Sequence, residues 1–176
     1  MTTIAWDGKT LAADGQSTLD GLICSLKEQK IYHPADGVEW LVNGEKVLAI
    51  GAAGDCGAEF ELQEKLANGI TYATEFSTAF GFSAIAICGP NRAYLISSKE
   101  DSAKISLCLQ VDPYALGSGA TVAITAIHLG ESAIEAVNTA IEMDVYSGGR
   151  VQWFSVKKSD SLHSMYPPKG KKLRPR

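Results

Sequence analysis

The chain has no apolar run approaching the roughly 18 residues of a membrane-crossing helix, which argues against a membrane role. No charged stretch leading into an apolar one opens it, so no secretory leader is read. Its four cysteines, Cys24, Cys56, Cys88 and Cys108, form no C-x-x-C, and no His/Cys group has zinc-ligand spacing. That pattern fits a reducing, cytoplasmic compartment, with Cys88 and Cys108 expected in the core because each lies in an apolar run. The three histidines, His33, His128 and His163, are scattered, and there is no Gly-x-Ser-x-Gly elbow, so a histidine-based triad is a poor fit. Gly117-Ser-Gly119 completes neither phosphate-loop fingerprint. Net charge is −4, but the segment from Lys157 onward carries +6 and the rest −10. An acidic body lacks the basic face that nucleic acid needs, and the tail ending Lys169-Gly-Lys-Lys-Leu-Arg-Pro-Arg176 reads as a solvated terminus.

What is present suits one folded domain. At 176 residues, with 45% hydrophobic and 20% charged residues, the chain can bury a sizeable core. Thr3-Ile-Ala-Trp6, the turn Asp7-Gly8 and Thr10-Leu-Ala-Ala13 predict a β-hairpin over residues 2–14. Gly21–Cys24 and Lys30–Tyr32 read as a second strand pair, and Trp40–Val42 and Lys46–Ile50 as strands around Asn43-Gly44. Asp55 to Asn68 suits a helix with Asp55 as N-cap and Gly69 as the stop. Residues 70–82 fit either a short helix or an extended link. Ser83–Cys88 and Arg92–Ile96 flank the hairpin signal Gly89-Pro-Asn91, and Ser106–Val111 reads as a strand. Two helices follow, from Gly117-Ser-Gly119 to about His128 and from about Ser132 to Met143. The second places Ala133, Ile134, Val137, Ala140 and Ile141 on one face. Val151–Val156 reads as a last strand. This order implies an α+β fold with helices covering antiparallel sheets, over residues 1–156, followed by a basic tail at 157–176.

The chemistry gathers at the start. Removal of Met1 would leave Thr2 with its own α-amine, a group with an unperturbed pKa of about 7.7–8.0. One residue would then hold both a hydroxyl nucleophile and the base to activate it. Asp14 ends the strand returning beside Thr2, and a buried pair with Lys27 would keep the lysine charged. An ammonium there would lower the hydroxyl's pKa and keep the amine neutral. Gly51 follows an apolar strand and offers an N–H to a developing oxyanion. Asp144 ends a helix, where the dipole disfavours a carboxylate, so it invites a hydrogen-bonding role.

Together these residues resemble the proteasome β-subunit family of N-terminal nucleophile hydrolases, most closely the bacterial HslV-type threonine peptidases. The matching pieces are Thr2-Thr-Ile, Ala13-Asp-Gly-Gln-Ser-Thr18, Lys27 ahead of Lys30-Ile-Tyr32, Gly51-Ala-Ala-Gly-Asp55, Leu116-Gly-Ser-Gly119 and Asp144-Val-Tyr-Ser-Gly-Gly149, in the family's order. The resemblance implies a four-layer αββα sandwich of two antiparallel sheets covered by helices. It implies catalysis by Thr2, with Asp14, Lys27, Gly51, Ser118, Asp144 and Ser147 in support. Thr18 and Ala53 would pair with an extended peptide, and Ala49 would sit at a primary pocket with room for an apolar residue. It further implies a cytoplasmic homo-oligomeric ring, hexameric or heptameric and stacked in pairs, fed by an ATPase unfoldase ring with peptide or unfolded protein. The chemistry would require no cofactor, and nothing in the sequence indicates a structural monovalent or divalent cation. Two alternatives share the fold: a non-proteolytic hydrolase of small amides, and a catalytically silent ring-forming scaffold.

Overall fold

Short turn signals set the strand pairs. The structure is a computed structural model describing residues 2–157; Met1 and the basic tail from residue 158 onward lie outside the described residues. β1 (Thr3–Trp6) and β2 (Thr10–Ala13) form the first hairpin, with Ile4 opposite Ala13. β3 (Ser17–Leu19) pairs with β4 (Leu22–Ser25), while β5 (Ile31–Tyr32) joins a strand much later in the chain. The expected pairing of Gly21–Cys24 with Lys30–Tyr32 is therefore not formed. β6 (Trp40–Val42) and β7 (Glu45–Val47) close around Asn43-Gly44, both at positive φ (48° and 77°), as a two-residue hairpin of the I′ kind requires.

β8 (Ala49–Gly54) leads into α1 (Ala58–Asn68), which starts three residues later than Asp55. Asp55 does not cap it; its Oδ2 instead accepts from the Gly81 N–H at 2.7 Å, and Gly57 is the N-cap. Gly69 ends the helix as expected. Residues 70–81 form no helix: they cross as a link that buries Ile70 and Phe76. β9 (Phe82–Gly89), β10 (Arg92–Ser98) and β11 (Ser106–Gln110) meander, and β12 (Tyr114–Gly117) returns to β1. α2 (Ala120–His128) and α3 (Ala133–Met143) follow, then β13 (Gln152–Ser155). Ser132 and Glu135 form a capping box at the start of α3, satisfying two otherwise orphaned N–H groups.

Two main sheets result, ordered β12-β1-β2-β13 and β11-β10-β9-β8-β5. Strand alternation sorts their side chains by face. On the first sheet Ala5, Ala12 and Ala115 pack with Ala123, Ala136, Val137 and Ala140 of α2 and α3. Alanines on both sides let these helices approach closely. Ile4, Trp6, Leu11 and Ala13 point the other way and pack with Ile31, Ile85, Ile87 and Ala93 of the second sheet. Ala84, Ala86, Cys88 and Ile96 turn to the opposite face and pack with Leu62 and Leu66 of α1. Cys108, expected in the core, is exposed, because β11 is the edge strand of its sheet.

Candidate active site

The start of β1 is held from both sides. Thr3 lies opposite Gly117 on β12, and its N–H donates to Asp14 Oδ1 at 2.9 Å. The Thr2 carbonyl accepts from the Ser118 N–H at 2.8 Å. Gly117 makes that approach possible: its φ is +94°, and a Cβ there would fall 1.8 Å from the Thr2 oxygen. Thr2 is itself only 8% exposed.

Asp14, at the end of β2, is fully buried and ties four segments together. Besides Thr3, it accepts from the N–H of Gln16 at 3.1 Å and of Gly148 at 3.0 Å, and from the Lys30 ammonium at 2.8 Å. The cation at the site is thus Lys30, not Lys27. Lys27 is exposed, and its N–H donates to the Ser25 hydroxyl. Lys30 immediately precedes β5, where Gln152 Oε1 accepts from both the Lys30 and Ile31 N–H groups at 2.9 and 3.1 Å and fixes the strand's entry. Its ammonium also donates to the Gln16 carbonyl at 2.5 Å. Burial pulls the Lys30 pKa below its ordinary 10.5, and the hydrogen bond and charge of Asp14 restore only part of the fall. The result is a lysine kept beside a carboxylate but readier than usual to give up a proton.

A second set of polar groups meets at the junction after α3. Asp144 Oδ2 accepts from Ser118 Oγ at 2.7 Å and from Ser147 Oγ at 2.6 Å, and its Oδ1 accepts from the Tyr146 N–H at 3.2 Å. Burial pushes the Asp144 pKa up, but the hydrogen bonds from Ser118, Ser147 and Tyr146 outweigh it, and the net shift is downward. Ser147 has one hydroxyl proton and gives it to Asp144. Its contact with Thr3 Oγ1 at 2.6 Å is therefore donated by Thr3. Ser118, Asp144 and Ser147 are brought together as a unit, with Thr3 a fourth member that sequence reading missed. Gln16 and Gln152 were also missed. A threonine in a strand and two glutamines near turns carry no local signal of such roles.

Thr2 and Lys30 line a pocket of about 130 Å³. Thr18 of β3 and Ala53 of β8 line it too, with Ala52, Gly54, Tyr32 and Phe82. Gly51 and Ala49 are not in this lining. Gly51 is flanked by Ile31 on one side and Ile85 on the other, so its amide lies inside the sheet, and a Cβ on it would press on Ile4 at 2.9 Å. Ala49 is fully buried opposite Ile87. The part of β8 that reaches the pocket is the segment after them, Ala52–Gly54. No group of metal-ligating side chains occurs among the described residues, and none of their helices is long and apolar enough to cross a membrane.

No protein-family model and no curated protein matches the chain. Among solved structures it is similar to Thiobacillus denitrificans BPH in complex with epoxomicin, a proteasome inhibitor. The TM-score is 0.58 at 16% identity, over 87% of this chain and 96% of that one. The fold is proteasome-like. A further structure of Thiobacillus denitrificans BPH agrees, at TM-score 0.52 and 17% identity over 89% of this chain and 98% of that one. At such identity the likeness concerns the backbone's path alone. That path nevertheless accounts for nearly all of BPH's length, so the short link over residues 70–81 leaves most of the proteasome-like fold in place.

Proposed function

We propose that this chain is an N-terminal nucleophile hydrolase of the threonine peptidase kind, active once Met1 is removed. In this reading the two sheets and the helices on their outer faces form the αββα sandwich of such enzymes. The observation that carries the proposal is the pocket shared by a nine-tenths buried Thr2 and a Lys30 ammonium paired to Asp14. A residue at the chain's start has no structural need for a buried cation beside it. A nucleophile whose proton must leave does.

The Thr2 hydroxyl attacks the peptide carbonyl carbon while the Thr2 α-amine takes its proton. The charge of Lys30 stabilises the alkoxide-like oxygen as it forms and holds the amine in its neutral state. In this reading a backbone N–H at the pocket's rim, beyond the Ala52 N–H that donates to the Lys30 carbonyl, receives the carbonyl oxygen as it becomes negative. Collapse expels the amine half of the substrate, which takes the proton from the Thr2 ammonium, and leaves an ester on Thr2. Water, deprotonated by the same amine, then releases the acid and restores the hydroxyl. Asp144, with Ser118 and Ser147, positions the strand end and balances charge near the amine. Thr18 and Ala53 offer backbone edges to an extended peptide. A chamber formed by a homo-oligomeric ring, served by an unfoldase ring, is the assembly that would confine such an activity.

The test is a Thr2→Ala variant compared with the protein whose mass shows Met1 removed. The variant is expected to keep its far-UV spectrum and melting transition, to lose hydrolysis of fluorogenic peptides, and to lose labelling by epoxomicin. Hydrolysis that persists in Thr2→Ala would overturn the proposal.

A further inference from the structure

The pocket beside Thr2 carries three carboxylates and one ammonium on its walls. Glu28, Asp55 and Glu59 all line it, and among the described lining residues Lys30 is the cation, already bonded to Asp14 and the Gln16 carbonyl. Each of the three carboxylates has one oxygen engaged by a neutral donor. Glu59 Oε2 accepts from the Gly57 N–H at 2.8 Å, Asp55 Oδ2 from the Gly81 N–H at 2.7 Å, and Glu28 Oε2 from Ser17 Oγ at 3.4 Å. None forms an ion pair among the described residues. The remaining oxygens are therefore left to water or to whatever enters. Between them lies an apolar floor of Ala52, Ala58 and Phe82.

Two further observations point to an occupant. The Thr2 side chain is nine-tenths buried, lines this space, and has no hydrogen bond to its hydroxyl among the described residues, as expected of a group that awaits a reactant. Tyr32, also in the lining, has its hydroxyl pushed up to about 12, first by burial and then by the negative fields of Glu59 and Glu28. Those carboxylates therefore act on the pocket interior and not only on bulk solvent. A long aliphatic stem ending in a cation matches this geometry: the stem covers the apolar floor and the head reaches the carboxylates. An apolar residue would leave three charges facing its surface, and an acidic one would meet repulsion.

We infer that the pocket takes a lysine or arginine side chain on the acyl side of the cleaved amide, with Glu28, Asp55 and Glu59 setting that preference. This replaces the apolar preference expected from the small Ala49. It rests on the proposed peptidase reading, and binding tests it apart from chemistry. Fluorescent peptide amides differing only in Arg, Leu or Glu at the acyl-side residue are titrated into the Thr2→Ala protein. Arg is expected to bind at least ~10-fold tighter than Leu, a difference of about 1.4 kcal/mol. The preference should shrink towards unity in the same protein carrying Glu28→Gln and Glu59→Gln, whose amide oxygens can still accept from Ser17 and Gly57. Raised salt should weaken the Arg complex more than the Leu one. Equal binding of Arg and Leu, a tighter Leu complex, or a preference indifferent to the double substitution would overturn the inference. Selective Arg binding by a protein that cleaves no peptide would support the pocket and sink the peptidase.

Discussion

Exchanging the two lysines near Asp14 separates the observed site from the one the sequence suggested. Asp14 is fully buried and accepts three backbone N–H bonds besides that of Lys30. Asp14→Asn removes the charge and turns one oxygen into a donor facing donors, leaving the Lys30 ammonium buried without a counter-charge. Breaking a buried pair in this way costs about 3–5 kcal/mol. At 2–4 °C per kcal/mol for chains of this size, Tm should fall by roughly 6–20 °C. Lys30→Met is different. It forfeits a charged hydrogen bond of about 1.5–3 kcal/mol. It also removes an ammonium whose burial costs more than Asp14 returns, since its pKa is lowered on balance. The two effects oppose each other, and Asp14 keeps its three N–H donors, so the loss should be smaller than that of Asp14→Asn. Lys27→Met, on an exposed side chain, should change stability by no more than about 0.5 kcal/mol. Activity should follow another order: Lys30→Met loses about 10²–10⁴-fold, and Lys27→Met stays near the parent. Urea unfolding, followed by fluorescence of the buried Trp6, gives the stabilities. The rate of epoxomicin labelling gives the reactivity. A Lys27→Met protein that no longer labels, beside a Lys30→Met protein that labels normally, would refute the assignment.

Other perturbations probe separate parts of the argument. Gly117→Ala should displace the Thr2 carbonyl, because the new Cβ would fall 1.8 Å from it, and should lower both Tm and labelling. Gly51→Ala should act as overpacking against Ile4 and Leu11, costing about 1–3 kcal/mol in urea unfolding, with residual activity tracking the folded fraction. Asp144 has a lowered pKa, so its stabilising contribution is present above the ordinary value of 3.8 and fades as pH falls through its folded value. The stability gap between the parent and Asp144→Asn should therefore close in acid denaturation below that range, and a gap that widens there would contradict the hydrogen-bond pattern. Burial pushes the Cys88 thiol up to about 12, so the native protein should label quickly with a thiol reagent at Cys24, Cys56 and Cys108 and slowly at Cys88.

The elements legible in the sequence are those with a local cause. Asp7-Gly8, Asn43-Gly44 and Gly89-Pro-Asn91 each force a reversal within a few residues, and the hairpins follow. The face of α3 carrying Ala133, Val137 and Ala140 is legible because its period is that of a helix. Pairing over distance is not. Nothing near Leu22–Ser25 shows that it turns back on Ser17–Leu19, or that Ile31-Tyr32 goes to β8, since each choice depends on which edge is left open elsewhere. Asp55 looks like a cap because it precedes a helical pattern, but the Gly81 amide competes for its carboxylate from 26 residues away. Cys108 looks buried because its neighbours are apolar, yet an edge strand has one side without a partner.

The lysine error has the same root and bears most on function. Lys27 and Lys30 are three residues apart, and composition does not separate them. What separates them is β5: the chain enters that strand at Ile31, and the residue just before it is carried into the interior with the strand. Gln152 fixes this entry from β13, more than a hundred residues later, by accepting two consecutive N–H bonds. The cation next to Thr2 is therefore positioned by a side chain near the end of the described chain. Gln152→Ala should then leave Asp14 and Lys30 chemically intact but free the strand end that holds the ammonium. If Lys30 acts on Thr2 through placement, labelling by epoxomicin should slow about 10-fold or more while the pH at half-maximal labelling stays unchanged. A shift of that midpoint at undiminished maximal rate would mean that Gln152 acts on charge and not on position, and the geometric account of the site would fail.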